Sequence, residues 1–526
     1  MKNIISVLLL DLLFIFTLLY ELQMLQQNSY NENGKFYRFL INDIKKNYKI
    51  YLLKYLLGFV LLLSKDINIW LFIFYLLTMI ILVVSAYANY QKHNDKLPLK
   101  FTKRVMRIIS LDLIFYVLLQ IISARYTLSQ FTGLSLIYIS INAFVLIIVV
   151  YLLQPIEKMV FNRYKKMALA KLDKMKNVKI IGITGSFGKT STKMILDSLL
   201  RTTYKGFYTP ASFNTPNGLL LTINNEPTIF NDYFISEMGA KNIGEIKELC
   251  DLVHPKYGIL TSIGAAHLES FKSLENVCKT KFELIESLPS DGVAILNKDD
   301  EYQRKYQLKN KCKVIWIGIE NEADVMAQNM KITNKGTTFD IVFKSQKKKL
   351  TVTTILLGQK NIYNILSSVA LANHLGVKDQ AIIQGVKNIA PINHRLEIKK
   401  HNNITIIDDS FNSNPEGAKN AIEVLALMDG EKVIITPGMV EMGDKQAELN
   451  EMFGKQIADV CDKVYLVGKK QTEPIYNGLI KNKYSHDKIF VCRSFKEAYN
   501  EVVKTSGNQK MTILIENDLP DSYMEE

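Results

Sequence analysis

Cysteine is scarce and unpaired in this sequence. Cys250, Cys278, Cys312, Cys461 and Cys492 stand too far apart for any C-x-x-C couple. That excludes a zinc ribbon and a dithiol redox centre, and leaves buried or incidental thiols in a reducing compartment. Also absent is an aromatic-plus-basic motif to accompany the formal net charge of +14, so the charge does not indicate nucleic acid. Much of it flanks apolar stretches (Lys45, Lys46, Lys49, Lys100, Lys103, Arg104, Arg107, Lys165, Lys166), a pattern that membrane topology and anionic headgroups explain. No small-residue cleavage site follows residues 1–20, and a polar helix continues there, which argues against a signal peptide. Long apolar runs are missing from about Lys171 onward, where the chain reads as soluble. At 526 residues it exceeds what one core holds.

What is present begins with apolar runs at residues 4–20, 50–63, 67–87, 108–123 and 134–153. A bilayer core of about 30 Å asks for about 20 helical residues, which the third and fifth runs supply. The first is short and holds Asp11. The second is shorter and holds Lys54, so tilting, re-entry and pairing with another span are all open. Asp11 and Asp112 are costly in hydrocarbon and should face the bundle interior, with Lys54 as one candidate partner. Basic residues concentrate in the loops after the first and third runs. With those loops inside, five spans place the amino terminus outside and deliver Gln154 onward to the cytoplasm.

Residues 178–184 (VKIIGIT) form a β-branched apolar run ending in Gly185-Ser186-Phe187-Gly188-Lys189-Thr190-Ser191, followed by a helical pattern. Strand, glycine loop and helix make a phosphate-binding loop. Its backbone N–H groups curl round an anion at a helix N-terminus, Lys189 reaches the β and γ phosphates, and the Thr190 hydroxyl can ligate Mg²⁺. The glycines at Gly182, Gly185 and Gly188 depart from the general GxxxxGK[ST] spacing. GITGSFGKTST resembles instead the GxTGxxGKT[ST] variant of Mur ligases and folylpolyglutamate synthetases.

The resemblance continues to the carboxyl terminus, about two thirds of the chain. Residues 209–218 (TPASFNTPNG), with Asn214 and Thr215, look like the loop after the first crossover helix of the Mur ligase family, and residues 234–240 (FISEMGA) like its strand-end E-x-G-A. The resemblance implies that Glu237 binds magnesium, that His267 contacts a second ion, and that Lys281, fourteen residues later, is the lysine carbamylated to bridge metals. Asn297 matches an L-N-x-D-D turn near the nucleotide. Asn361 and Asn364 match a segment near adenine, with Lys360 where histidine is usual. Arg395 is the arginine implied near the γ-phosphate. Residues 408–415 (DDSFNSNP) are close to D-D-x-Y-N-A-N-P of the D-alanyl-D-alanine-adding member, with Phe411 for tyrosine. They imply that Asp408, Asp409, Asn412 and Asn414 meet the amine, although Asp, Ser, Asn and Pro here also suit a helix cap.

The expected architecture is an α-helical transmembrane bundle followed by two α/β domains, a P-loop central domain and a smaller doubly wound one. Residues 1–155 would hold about five membrane helices, 156–176 a basic linker helix, 177–389 the ATP-binding domain and 390–526 the last domain. The gap between bundle and P-loop is too small for the UDP-gripping domain of family members that use soluble nucleotide sugars. The implied activity is ATP- and Mg²⁺-dependent, with two ions. A carboxylate of a lipid-linked or membrane-proximal acceptor is phosphorylated, and an amino acid or short peptide amine displaces the phosphate. Rival readings are a ligase of soluble UDP-muramoyl peptides with an incidental anchor, an ammonia-using relative whose four-cysteine ribbon is not seen, and an inactive membrane scaffold. Homo-oligomerisation is open.

Overall fold

The structure is a computed structural model that describes residues 2–28, 30, 34–64, 68–94, 98–175, 177–226, 228–265, 268–505, 507 and 509–518. Two compact units emerge, Met1–Asn162 and Arg163–Glu526.

The first unit comprises α1 (Lys2–Gln27), α2 (Lys35–Lys46), α3 (Tyr48–Leu63), α4 (Ile69–Asn94), α5 (Lys103–Ser123) and α6 (Leu128–Lys174). α6 passes unbroken through Pro155, so the expected linker helix is the same helix as the last span. The unit has an apolar core that includes Leu13, Phe14, Tyr75 and Leu146, and apolar side chains also cover much of its outer face. Leu8, Phe59, Trp70, Ile81, Ile121 and Ile148 are exposed, whereas Thr17, Glu21, Lys54, Asp112 and Asn142 are buried. Asp112 accepts from the Tyr138 hydroxyl (3.0 Å) and Asp11 from that of Tyr116 (3.1 Å). The two aspartates therefore find tyrosines, not Lys54, as partners.

Of the five expected spans, length and composition favour four. Among the described residues four helices are long and apolar enough to cross a membrane: α1, α4, α5 and α6. The second apolar run forms α3, whose 16 residues reach about 24 Å. The helix directions add a second constraint. The Tyr75 hydroxyl donates to the Ser6 carbonyl, and the Phe16 and Tyr87 rings meet at 5.2 Å, so α1 and α4 run parallel. The chain between them must return, and α3 is placed to do so, antiparallel to α6. Ser129 Oγ donates to the Leu61 carbonyl at 2.7 Å. A Cβ on Gly133 would stand 2.6 Å from the Gly58 carbonyl, a close backbone approach that only glycine permits.

The second unit holds two sheets. β1 (Lys179–Thr184), β2 (Gly206–Tyr208), β3 (Tyr233–Glu237), β4 (Tyr257–Leu260), β5 (Val293–Asn297), β6 (Lys313–Gly318), β7 (Val325–Thr333), β8 (Gly336–Phe343) and β9 (Lys348–Thr354) lie in the order β2-β3-β1-β4-β5-β6-β7-β8-β9. Pairing is parallel through β7, and β7–β9 form an antiparallel meander. From β1 the chain leaves through α7 (Lys189–Leu200) toward β2, returns at β3 and crosses to β4 on the other side of β1. Open α/β sheets bind ligands at such a switch, outside the carboxyl ends of the strands. Register places Glu237 opposite Ile183, just before the glycine loop.

The second sheet contains β10 (Glu397–His401), β11 (Ile404–Asp409), β12 (Glu431–Thr436), β13 (Lys463–Val467), β14 (Ile489–Cys492) and β15 (Met511–Glu516), ordered β10-β11-β15-β12-β13-β14. Only the edge strand β10 is antiparallel. The strands expected near Val464 and Met511 are β13 and β15.

Candidate active site

The glycine loop is braced by the segment after β4. Ser186 Oγ exchanges two 3.0 Å hydrogen bonds with the Gly264 backbone, and Phe187 N–H donates to Ser262 Oγ. Gly185 has φ +149°, and a Cβ there would stand 2.0 Å from Thr261 Oγ1, so no other residue fits. Gly188, at φ +80°, turns the chain into α7 without a side-chain cap, which leaves the helix N-terminus available to an anion. Lys189 Nζ folds back on the carbonyls of Gly185 (2.8 Å) and Ser186 (3.2 Å). Burial pulls this ammonium down to about 8, against the attraction of Glu237. Ser191 is buried in the first turn of α7.

Glu237 collects the polar groups around it. Its Oε1 accepts from Thr190 Oγ1 (3.2 Å) and Asn214 Nδ2 (3.3 Å), and its Oε2 from Lys193 Nζ at 2.8 Å. Lys193 is completely buried. Sequence reasoning passed over it, although it lies one helical turn beyond Lys189 on the same face. Two octahedral ligands about 2.1 Å from one Mg²⁺ lie about 3 Å apart, so the Thr190–Glu237 spacing and their hard oxygen donors fit a shared magnesium ion.

Lys281 points inward and is 2% exposed. Its ammonium sits 5.6 Å from the Phe271 ring centroid. Burial lowers it to about 7, with the charge of Lys189 as second cause and Glu245 and Glu283 opposing. Lys189 and Lys281 thus face one region. Lys279 is exposed and pairs with Glu275 at 2.7 Å. His267 lies outside the described residues.

Asn364 packs beneath the loop, its Oδ1 accepting from Thr192 Oγ1 (3.2 Å) and abutting Gly188. It donates in turn to Asn361 Oδ1. Asn297 shapes its turn, Oδ1 accepting the Asp299 N–H. Lys360 bonds Glu416 of the last domain. Thr215 and Asn414 cap the helices that begin at Pro216 and Pro415, so both carry a structural task that the sequence pattern also allows.

Arg395 sits between His394 (φ +58°) and Leu396 (φ +48°), two residues in the left-handed region. Its guanidinium lies 4.2 Å from the Phe411 ring centroid, a contact that needs no phenolic hydroxyl. Burial lowers its pKa, while Asp409 and Glu237 act the other way. The arginine therefore shares the field of β3 in the first sheet and β11 in the second. Asp408 is already engaged by Lys399 Nζ (2.6 Å), Ser410 Oγ (2.6 Å) and His394 Nδ1 (2.9 Å). His394, Glu397 and Asp408 bring donor atoms within 4.8 Å of one another, but Lys399 already supplies the cation there, 3.1 Å from Glu397. Asn412 is exposed.

Residues 183–372 match the Mur ligase middle domain, and 394–516 the Mur ligase glutamate ligase domain. The UDP-N-acetylmuramoyl-tripeptide–D-alanyl-D-alanine ligase of Escherichia coli (strain K12) is 32% identical over 56% of this chain and 65% of its own length. That of Buchnera aphidicola subsp. Acyrthosiphon pisum is 30% identical over 66% and 78%. The chain thus spans slightly less than two thirds of the Escherichia coli relative. Among solved structures, MurF ligase from Thermotoga maritima in complex with ADP superposes with a TM-score of 0.60 at 26% identity, covering 68% of this chain and 80% of that one. MurF from Acinetobacter baumannii gives 0.62 at 24% identity, over 68% and 77%, a likeness of fold.

Proposed function

The chain belongs to the Mur ligase family, whose members are ATP-dependent amide ligases, and from that premise we propose that it is a membrane-bound ligase of the cell envelope. It joins the amine of an amino acid or short peptide to a carboxylate on a lipid-linked or membrane-proximal acceptor. The observation that carries this reading is chain continuity: α6 belongs to the helical unit with its exposed apolar faces and runs on toward the domain that holds Lys189, Thr190 and Glu237.

In this reading Lys189 returns from the loop carbonyls to the β and γ phosphates of ATP. Thr190 and Glu237 would hold a Mg²⁺ ion, and a carbamylated Lys281, with His267, would supply the ligands for a second. Bound magnesium supplies charge neutralisation at the γ-phosphate. Arg395 stabilises the charge that builds as the substrate carboxylate oxygen bonds to the γ-phosphorus and ADP departs. The incoming amine nitrogen then bonds to the acyl carbon, and inorganic phosphate leaves with the C–O electron pair. Asn214 keeps Glu237 oriented, and Asn361, Asn364 and Asn297 hold the walls of the nucleotide site. An oligomer is not needed for any of these steps.

Mass spectrometry of a deletion strain tests the reading. Lipid-linked intermediates should be lighter by one amino-acid or dipeptide residue, with soluble UDP-linked precursors unchanged. The names of the relatives favour a second reading, ligation of D-alanyl-D-alanine to a soluble UDP-muramoyl tripeptide, and a change confined to the UDP-linked pool would select it.

The basic loops after the first and third apolar runs support a topology with the amino terminus outside and residues from Gln154 onward in the cytoplasm, and the parallel run of α1 and α4 supports α3 crossing between them despite its length. A reporter after Gln154 is expected to be cytoplasmic and one at the amino terminus external. A cytoplasmic amino terminus would mean that α3 does not cross.

A further inference from the structure

The end of the helical unit that carries Lys45 and Lys49 encloses a partly open cavity of about 40 Å³. Thr17 and Glu21 of α1, Asp43 of α2, Tyr51 and Lys54 of α3 and Asn89 of α4 line it. A single water needs about 10–15 Å³, so the space takes several polar atoms. Asp43 is already well supplied with donors. It accepts from the hydroxyls of Tyr51 (2.7 Å) and Tyr20 (3.4 Å) and from Asn47 Nδ2 (2.9 Å). Glu21, 5% exposed, accepts from Asn142 Nδ2 at 2.8 Å. Two other groups are left open. Thr17 Oγ1 is buried without a hydrogen-bond partner. Lys54 is 8% exposed, with its ammonium 5.8 Å from the Tyr51 ring centroid. Among the described residues it makes no hydrogen bond or ion pair, and Glu21 and Asp43 act on it only through space.

A buried ammonium with unused N–H donors is costly unless something fills the space beside it. Ionisable groups inside apolar helices mark functional sites for the same reason. The charges here select the occupant. Two carboxylates stand against one ammonium, so the cavity offers no net attraction to a phosphate or a carboxylate. Lys54 already holds the place of a cation, which repels a lipid ammonium. A hydroxyl both donates and accepts, so a neutral, hydroxyl-rich group serves Glu21, Lys54 and Thr17 together. We propose that this cavity binds the sugar headgroup of a glycolipid, Lys54 and Thr17 bonding its hydroxyls. The proposal rests on the membrane-bound ligase reading above, whose lipid-linked acceptor it narrows to one that carries a sugar.

The test mixes full-length protein in detergent, without ATP, with monoglucosyl dioleoylglycerol, dioleoyl phosphatidic acid or dioleoyl phosphatidylethanolamine. Native mass spectrometry then counts the lipid retained. The glucolipid should be held at least about tenfold more tightly than either phospholipid. Lys54→Met should weaken it about 10- to 100-fold, the reach of hydrogen bonds to a charged group, and Thr17→Val about threefold. Thr17→Val keeps the shape and removes a hydroxyl that has no protein partner, so its fold is not at risk. Ser140→Ala, whose hydroxyl is spent on the Leu136 carbonyl, should stay within about twofold. Wild-type protein that does not retain the glucolipid, or holds either phospholipid equally well, overturns the proposal. So does unchanged affinity in both Lys54→Met and Thr17→Val, and displacement by equimolar methyl glucoside would assign the cavity to a free sugar instead. The ligase reading fails separately, if ATP, hydroxylamine and a lipid extract yield no hydroxamate in the lipid fraction. The binding measurement, made without ATP, decides the cavity by itself.

Discussion

Lys281→Ala is expected to lower ATP-dependent ligation by about 1,000-fold, the scale on which removal of a group at a developing phosphate charge is felt. Lys281 sits inward at 2% exposure in the field of Lys189, and burial brings its amine to about 7, where much of it is neutral and open to carbon dioxide. Carbamylation would exchange a repulsive neighbour of the magnesium site for an anionic ligand. Short-chain carboxylates such as acetate or formate should then partly restore Lys281→Ala by occupying the vacated place. Lys279→Ala is the matched control, because Lys279 is exposed and bound only to Glu275. Its removal should change activity less than twofold, the usual reach of a surface ion pair. A damaging Lys279→Ala beside a benign Lys281→Ala would show that the helix register has been misassigned to the metal site.

Glu237→Ala should injure both catalysis and stability. It removes a magnesium ligand and also strands Lys193, whose ammonium is completely buried and otherwise contacts the Ala211 carbonyl. Breaking a buried pair by removing one partner costs about 3–5 kcal/mol. Thermal unfolding of the variant should therefore begin well below wild type, and its Mg²⁺-dependent ATP turnover should fall to background. Thr190→Ala separates the two roles. It deletes the other magnesium ligand but leaves the Lys193–Glu237 pair intact, so activity should fall with the unfolding temperature nearly unchanged. A Thr190→Ala protein as unstable as Glu237→Ala would contradict this division.

Much of the site was legible because its motifs are local. A β-branched run, spaced glycines and a helical pattern specify a strand, an anion loop and a helix within a few turns, and the structure keeps that order. Helix geometry puts Lys279 and Lys281 on different faces, about 200° apart, and the family register chose Lys281 as the inward one. Other features depend on contacts that no window of sequence contains. Glu516 meets Asp409 only because β15 inserts between β11 and β12. Lys193 carries no sequence signal of its own, because its partner Glu237 arrives on β3, 44 residues away. Thr215 and Asn414 show an ambiguity of chemistry, since a polar residue before proline reads equally as a cap and as a ligand. In the helical unit, apolar length and the parallel run of α1 and α4 constrain α3 differently, and only the second is a three-dimensional fact.

In the proposed reaction the activated carboxylate resides on a membrane-linked acceptor. Trapping the activated carboxylate tests it most directly. Full-length protein, ATP and Mg²⁺ would be incubated with hydroxylamine and either the lipid extract of a deletion strain or soluble UDP-muramoyl tripeptide. Hydroxamate should form in the lipid fraction, depend on Lys189, and be absent with the soluble nucleotide sugar. Hydroxamate on the UDP-muramoyl tripeptide with none in the lipid fraction would instead assign the activated carboxylate to the soluble precursor.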